Sequence, residues 1–226
     1  MTQRAIVLAV LLLAGAVGVA AAADNVGMLI TRQGNGNGAP PCASCHGPSG
    51  MGNAAAGYPR LAGLNAAYLV RQLNDYDNGT RNHPVKSAIA SRLSPAEREA
   101  LARYYAGLPV LRQAPAETAG TDPAVLLRGQ RIVEGGAWSK GVPACLRCHG
   151  PNGEGVPPHF PPLVDQPGTY IVAQLVAWQN GTRSNDPIGL MRSVASKLDS
   201  EEIAAAAAWL ASRAPSPSQQ RPAKPR

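Results

Sequence analysis

The 226-residue chain is short of aromatic side chains: it has one Phe, three Trp and six Tyr, together 4% of the sequence. Large aromatic side chains normally fill much of a protein interior. The apolar content is nevertheless 45%, which excludes an intrinsically disordered chain. A folded protein of this composition therefore needs something other than Phe and Trp to occupy part of its interior.

Long hydrophobic runs are scarce as well, and the one that matters follows Arg4 and covers residues 5–23 without a charge. A single run excludes a polytopic membrane protein. Its basic start and the three alanines at 21–23 predict a secretory signal peptide over residues 1–23. If it is not cleaved, the same segment anchors the protein to the membrane. Export places the chain in the periplasm, an oxidising compartment in which paired cysteines normally form disulfides.

Acidic residues number 14 against 21 Lys and Arg, which gives a formal net charge of +7. Arg4 lies in the leader, and four basic residues lie at the C-terminal end: Arg213, Arg221, Lys224 and Arg226. The rest of the chain has a net charge of about +2, so no basic face remains for a nucleic-acid partner. The Pro-, Ser- and Gln-rich stretch 214–226 is predicted to be a disordered basic tail.

Only four cysteines are present, and they lie in two copies of one motif. C-A-S-C-H at 42–46 recurs as C-L-R-C-H at 145–149, an offset of 103 residues. Other segments repeat in the same order: Y-P-R-L at 58–61 with F-P-P-L at 160–163, and N-G-T-R at 78–81 and again at 180–183. This tandem duplication predicts two domains, residues 24–113 and 124–213, joined by a linker at 114–123.

The periodic segments of each copy predict helices, and no segment alternates as a strand would. Apolar residues at three-and-four spacing mark residues 65–77 in the first copy and 169–179 in the second. Ser94 and Glu97 form the sequence pattern of a capping box at the start of a further helix, and its counterpart opens at 199–202. The chain is therefore predicted to be all-α.

The repeated motif C-x-x-C-H is the attachment signature of c-type haem. Two thiols three positions apart can each add to one porphyrin vinyl group, and the next residue's imidazole then lies beneath the iron. The motif predicts two covalently bound haem c groups, attached through Cys42, Cys45, Cys145 and Cys148 and ligated by His46 and His149. Each macrocycle would supply the flat apolar surface that the missing aromatics do not.

Three other uses of the cysteines fit less well. A redox-active dithiol does not require the adjacent histidine twice. The two pairs are separated by 100 residues, which is too far for a structural zinc site. A disulfide within one motif closes a small strained loop.

The chain resembles the dihaem cytochromes c of the cytochrome c4 type over residues 24–213. The resemblance rests on C-x-x-C-H-G, on the stretch Y-P-R-L-A-G and on the N-G-T-R turn. It implies two tandem class I cytochrome c domains that meet at a pseudo-two-fold interface with their haem propionate edges close together. It also implies that the carbonyl oxygens of Pro59 and Pro161 accept hydrogen bonds from Nδ1 of His46 and His149.

The family's distal iron ligand is a Met shortly before an I-A-x-x-L stretch, and in the second copy that position is Met191. The resemblance therefore implies a His149/Met191 pair at haem 2. Met191 as an ordinary core residue is the alternative. His159, in a Pro-rich loop, would then be the substitute ligand.

The first copy has no Met at this position, and the same count lands on Lys86. Lys86 must bind as the neutral amine, which costs roughly 4 to 5 kcal/mol of deprotonation at neutral pH. His83 avoids that cost but requires the loop to shift. Met51 lies close after His46, on the proximal side, and is expected to be a loop residue. An open or water-bound iron is the remaining alternative.

These features predict a periplasmic electron carrier that passes single electrons between a donor complex and a terminal oxidase or another cytochrome. Its expected partners are redox proteins such as a membrane cytochrome complex. Nitrogen ligation at haem 1 lowers its potential below that of haem 2, so electrons are expected to move from the first domain to the second. The alternatives are a haem enzyme, peroxidase-like or thiosulfate-oxidising, with its chemistry at haem 1, and a redox or gas sensor.

Overall fold

A computed structural model describes residues 25–111, 120–186 and 188–215. The predicted leader at 1–23, most of the predicted linker and the tail from 216 onward lie outside these residues. In the part of the chain that is described, the β pairing is limited to isolated bridges, and the all-α prediction is confirmed. No helix in that part is both long and apolar enough to cross a bilayer.

The two copies have the same order of helices. In the first copy these are α1 (residues 25–33), α2 (Ala43–His46), α3 (Ala66–Asp77), α4 (Pro84–Ala90) and α5 (Pro95–Gly107). In the second copy they are α6 (Pro123–Gln130), α7 (Leu146–His149), α8 (Gly168–Gln179), α9 (Leu190–Ala195) and α10 (Ser200–Ser212). A π-helical turn, Arg131–Gly135, directly continues α6, and a 3-10 turn, Trp138–Lys140, follows it.

The helices predicted from periodicity and capping are present. The amphipathic segments are α3 and α8, and the predicted capping boxes begin α5 at Ser94 and α10 at Asp199. Sequence analysis missed α1 and α6, which begin the two copies, and also α4 and α9. The latter two are short, so their stability depends on packing against α3 and α8 rather than on local propensity.

Each copy packs its first helix across its last one. Gly27 of α1 lies against the backbone of Ala100 in α5, and Gly129 of α6 lies against the backbone of Ala205 in α10. A Cβ atom at either glycine would overlap the facing carbonyl group. Glycine therefore permits the same close helix crossing in both copies, which is the structural form of the duplication.

The two copies contact each other through equivalent segments. An antiparallel bridge joins Arg81 to Arg183. On either side of it, the N–H of Asn82 donates to the carbonyl oxygen of Thr182 and the N–H of Ser184 donates to that of Thr80, both at 2.7 Å. Because equivalent positions exchange equivalent bonds, the two copies are related approximately by a two-fold axis through this bridge.

Candidate cofactor site

One continuous cavity of about 1240 Å³ runs through both copies. It is larger than the roughly 300–1,000 Å³ of a typical small-molecule site. Its wall includes the side chains that the sequence singled out, namely Cys42, Cys45, His46, His83, Lys86, Cys145, Cys148, His149, His159 and Met191. The duplication therefore produces two equivalent sites that open into a shared space between the copies.

Each C-x-x-C-H motif folds as a single helical turn. Cys42 is the N-cap of α2 and Cys145 is the N-cap of α7, so the second cysteine of each pair lies one turn further on the same face. None of the four cysteines forms a disulfide. Burial raises the pKa of Cys145 to about 11 and also raises that of Cys42, so before haem is attached both are thiols rather than thiolates at neutral pH.

The motif histidines are buried and oriented by backbone carbonyls, as predicted. His46 Nδ1 lies 2.9 Å from the carbonyl oxygen of Pro59, and His149 Nδ1 lies 2.7 Å from that of Pro161. Burial lowers the pKa of His46 to about 4 and also lowers that of His149, so both rings are neutral at neutral pH. With Nδ1 donating its proton to the carbonyl, Nε2 keeps a lone pair and can act as a metal ligand.

The structure separates the candidates for the distal side of the first site. Lys86 is half-buried on the cavity wall, where it interacts electrostatically with His46 and with the motif thiols. Burial lowers the pKa of its amine, which reduces the cost of the neutral form. His83 is exposed, and its Nδ1 accepts the Lys86 N–H at 3.3 Å as the N-cap of α4. Lys86 therefore faces the cavity from a helix whose start His83 fixes.

The other sulfur and imidazole candidates fall in different environments. Met191 lines the cavity from α9. Met51 is not part of the cavity wall and packs in a small cluster with Ala62 and Val110. His159 is exposed, and its Nδ1 accepts a hydrogen bond from Arg71 at 2.9 Å. The geometry therefore favours Met191 over His159 in the second copy and gives Met51 a packing role.

Sequence analysis missed two buried arginines at the interface. Arg81 donates to Gln72 at 2.9 Å and to Tyr170 at 2.9 Å, and Arg183 donates to Gln174 at 2.9 Å and to Gln72 at 3.1 Å. Both line the cavity. Both arginines belong to the repeated N-G-T-R turn, which was visible in the sequence. Only the fold shows that both guanidiniums donate to the same side chain, Gln72.

These two guanidiniums lack an anionic partner in the described part of the chain, where every ion pair involves other residues. A buried positive charge bonded only to neutral groups favours an anion nearby. The carboxylates of haem propionates would meet that need. A pair of covalently attached haems therefore fits the paired thiols, the neutral buried imidazoles and the large, mostly apolar cavity. It also fits the two guanidiniums that have no ion-pair partner among the described residues.

A second buried contact between the copies is an ion pair. Arg60 is fully buried, and its Nε lies 3.7 Å from Oδ2 of Asp165. Asp165 has a φ of 58°, a left-handed conformation that its counterpart Gly63 also adopts with a φ of 69°. An Asp in this conformation carries some backbone strain. Asp165 therefore adopts a strained backbone conformation at the position from which its carboxylate forms the ion pair with Arg60.

Asp165 is expected to make the stability of the protein depend on pH. Burial raises the pKa of its carboxyl to about 6, from an ordinary value of 3.8, although Arg60 opposes the shift. The folded state then binds the proton more tightly, so the contribution of Asp165 to the free energy of unfolding is largest below about pH 4 and is lost as the pH rises through 6. The shift corresponds to roughly 3 kcal/mol at most, because solvent around the partly exposed carboxyl screens its charge.

Chemical denaturation of the holoprotein between pH 4 and pH 7 measures this effect. Asp165→Asn cannot ionise, so its free energy of unfolding is expected to match that of the wild type near pH 4. Between pH 4 and pH 7 it is expected to decrease less than that of the wild type. Parallel pH profiles for the two proteins would contradict the assignment.

The chain is similar to known cytochromes c in sequence and in structure. A family model described as cytochrome c matches residues 39–108 and 127–214. A thiosulfate dehydrogenase electron acceptor from Thiomonas intermedia (strain K12) is 48% identical over 191 residues, which cover 82% of this chain and 86% of that protein.

Two solved structures are similar as well. Thiosulfate dehydrogenase (TsdBA) from Marichromatium purpuratum superposes with a TM-score of 0.77 at 40% identity, covering 85% of this chain but only 40% of that chain. Cytochrome c4 from Pseudomonas stutzeri superposes with a TM-score of 0.65 at 32% identity, covering 75% of this chain and 91% of that one.

Proposed function

This chain belongs to the cytochrome c family, and from that premise we propose that it is a periplasmic electron carrier whose electron donor is a thiosulfate dehydrogenase. It is an electron-transfer cytochrome with two covalently bound haem c groups, one in each of two cytochrome c domains. The choice of electron donor is supported by a relative that is named a thiosulfate dehydrogenase electron acceptor. The domain boundaries at 24–113 and 124–213 stay predictions.

Specific residues are proposed to hold each haem. Cys42 and Cys45 attach haem 1, and Cys145 and Cys148 attach haem 2. When bound, each haem supplies a one-electron iron couple. His46 and His149 are the proximal ligands, supported by their buried, neutral rings and their Nδ1 contacts with proline carbonyls.

The distal residues differ between the two domains. Met191 offers a thioether to haem 2, and Lys86 offers an amine to haem 1, supported by their positions on the cavity wall. A nitrogen donor favours ferric iron more than a thioether does, so haem 1 has the lower potential. Electrons accordingly enter at the first domain and leave from the second.

The observation that carries this proposal is the single cavity shared by both sites, with Arg81 and Arg183 between them. A carrier that must pass an electron between two haems needs them close together. Two buried guanidiniums at the junction would keep the propionate edges of both groups at the interface.

We expect a thiosulfate dehydrogenase to reduce both haems of the purified ferric protein when thiosulfate is added. The measurement is stopped-flow absorption spectroscopy under anaerobic conditions. Thiosulfate without the dehydrogenase is expected to leave the protein ferric, because a carrier has no site for the substrate. Equally fast reduction by thiosulfate alone would contradict the carrier function and would support the thiosulfate-oxidising enzyme instead.

A further inference from the structure

The peptide group between Pro59 and Arg60 is hydrogen-bonded on both of its sides. Its carbonyl oxygen accepts from His46 Nδ1 at 2.9 Å. Its N–H donates to Oε1 of Gln166, a residue of the second domain, at 3.0 Å. One peptide therefore connects the proximal histidine of the first domain to a side chain of the second.

The side chain of Gln166 is held in one orientation. Its Nε2 donates to the Arg60 carbonyl oxygen at 3.0 Å, so its amide pairs with the backbone of Arg60 at both ends. Gln166 is only 5% exposed and Arg60 is completely buried. Water therefore has little access to compete for these bonds, and each counts for more than it would at the surface.

The Arg60 side chain fixes the same segment from the other direction. Its Nη1 donates to the Ala62 carbonyl oxygen at 2.6 Å, within the first domain. Its Nη2 donates to the Val164 carbonyl oxygen at 3.4 Å, in the second domain. The peptide and Gln166 are thus anchored to each other independently of the haem.

The second domain has no equivalent arrangement. Pro162 occupies the position of Arg60, so the peptide that follows Pro161 has no N–H to donate. The counterpart of Gln166 in the first domain is Leu64, which has no acceptor in its side chain. The chain of hydrogen bonds exists at His46 and has no counterpart at His149.

We propose that Gln166 is a positioning residue of the second domain that tunes haem 1 through the Pro59–Arg60 peptide. Accepting the Arg60 N–H polarises this peptide and makes the Pro59 carbonyl a stronger acceptor for His46 Nδ1–H. A more strongly bonded imidazole donates more electron density to iron, which favours the ferric state and lowers the potential of haem 1. The inference rests on the proposed function, in which His46 is the proximal ligand of haem 1.

We call the hydrogen bonds from Gln166 through the Pro59–Arg60 peptide to His46 the relay. The relay makes the haem 1 potential depend on contact between the two domains. While the two domains are in contact, Gln166 keeps haem 1 at a low potential. A partner that separated them would break the Gln166 bond and raise the potential of haem 1 alone.

Gln166→Met tests the relay in the holoprotein, because Met has a similar length but neither accepts the Arg60 N–H well nor donates to its carbonyl. A reductive titration that resolves both haems is expected to give an upward shift for haem 1 and no shift for haem 2. Proton NMR spectroscopy of the ferrous protein is expected to show the His46 Nδ1–H resonance shifted upfield, because its hydrogen bond to the Pro59 carbonyl oxygen is weaker, with that of His149 unchanged. Gln166→Glu retains an acceptor oxygen and is expected to keep the haem 1 potential at or below the wild-type value.

Thr169→Val is the matched control. It removes another hydrogen bond between the domains, from Thr169 Oγ1 to the Ala54 carbonyl oxygen at 3.1 Å, without touching the Pro59–Arg60 peptide. It is expected to leave both potentials unchanged.

An unchanged haem 1 potential in Gln166→Met would overturn the relay, and so would an equal shift in Thr169→Val. Absorption spectra of each variant give its haem content independently. Absence of haem from the wild type would instead refute the proposed function, and the relay with it.

Discussion

Replacing Cys145 and Cys148 together with serine is expected to remove haem 2 and to unfold the second domain. The core cluster of this domain borders the cavity through Ile171, Leu198 and Leu210, and Cys145 packs against its edge. Without the macrocycle, that apolar wall would face water, at a cost of roughly 25 cal/mol for every Å² exposed. A domain of this size has a stability of only about 5–15 kcal/mol, so the loss is expected to exceed it.

Mass spectrometry of the exported protein checks this result, since the variant should have lost the mass of one haem. Circular dichroism should show loss of helix in addition. Ser44→Ala is the matched control, because it changes a residue inside the first motif without removing a thiol. It removes the Ser44 hydroxyl, which donates to the Pro41 carbonyl oxygen at 2.6 Å and to Cys45 Sγ at 3.9 Å. A variant that kept two haems would refute attachment through this cysteine pair.

Lys86→Met is expected to raise the potential of haem 1 and leave that of haem 2 unchanged. The substitution replaces an amine on the wall of the first site with a thioether, which favours ferrous iron. We expect an upward shift of at least ~59 mV, which is tenfold in a one-electron equilibrium. That shift would reduce or reverse the driving force from haem 1 to haem 2.

A potentiometric titration that resolves the two haems provides the measurement. His83→Ala is the control, because the exposed His83 ring caps α4 by accepting the Lys86 N–H. It is expected to cost about 0.5–2 kcal/mol of stability and to leave the haem 1 potential unchanged. If His83→Ala changed the haem 1 potential and Lys86→Met did not, the ligand assignment would pass from Lys86 to His83.

The cysteine motifs and the longer helices could be predicted without a fold because their signals are local. Two thiols and a histidine within five residues fall on one helical turn in any setting. The capping boxes at Ser94 and Asp199 are satisfied within three residues of themselves. The contact of each motif histidine with a proline carbonyl could be expected only through the family resemblance, because these partners are 12 and 13 residues apart.

The distal ligand of haem 1 needed tertiary information. Counting along the chain left Lys86 and His83 both open, since they are one helical turn apart. In the structure both line the cavity, but His83 is exposed and caps α4, while Lys86 is half-buried, and this difference favours Lys86. Which side chain of a short helix faces the interior depends on the helices against which it packs.

Cofactor type, duplication and helix content are therefore properties of the sequence, since each is encoded by residues close together in the chain. The pairing of Arg81 with Arg183, the ion pair of Arg60 with Asp165 and the link from Gln166 to His46 belong to the tertiary structure. Each joins residues about 100 or more positions apart, so it exists only once the two domains dock. The duplication makes the two haem sites alike, and the contacts between the domains make them different.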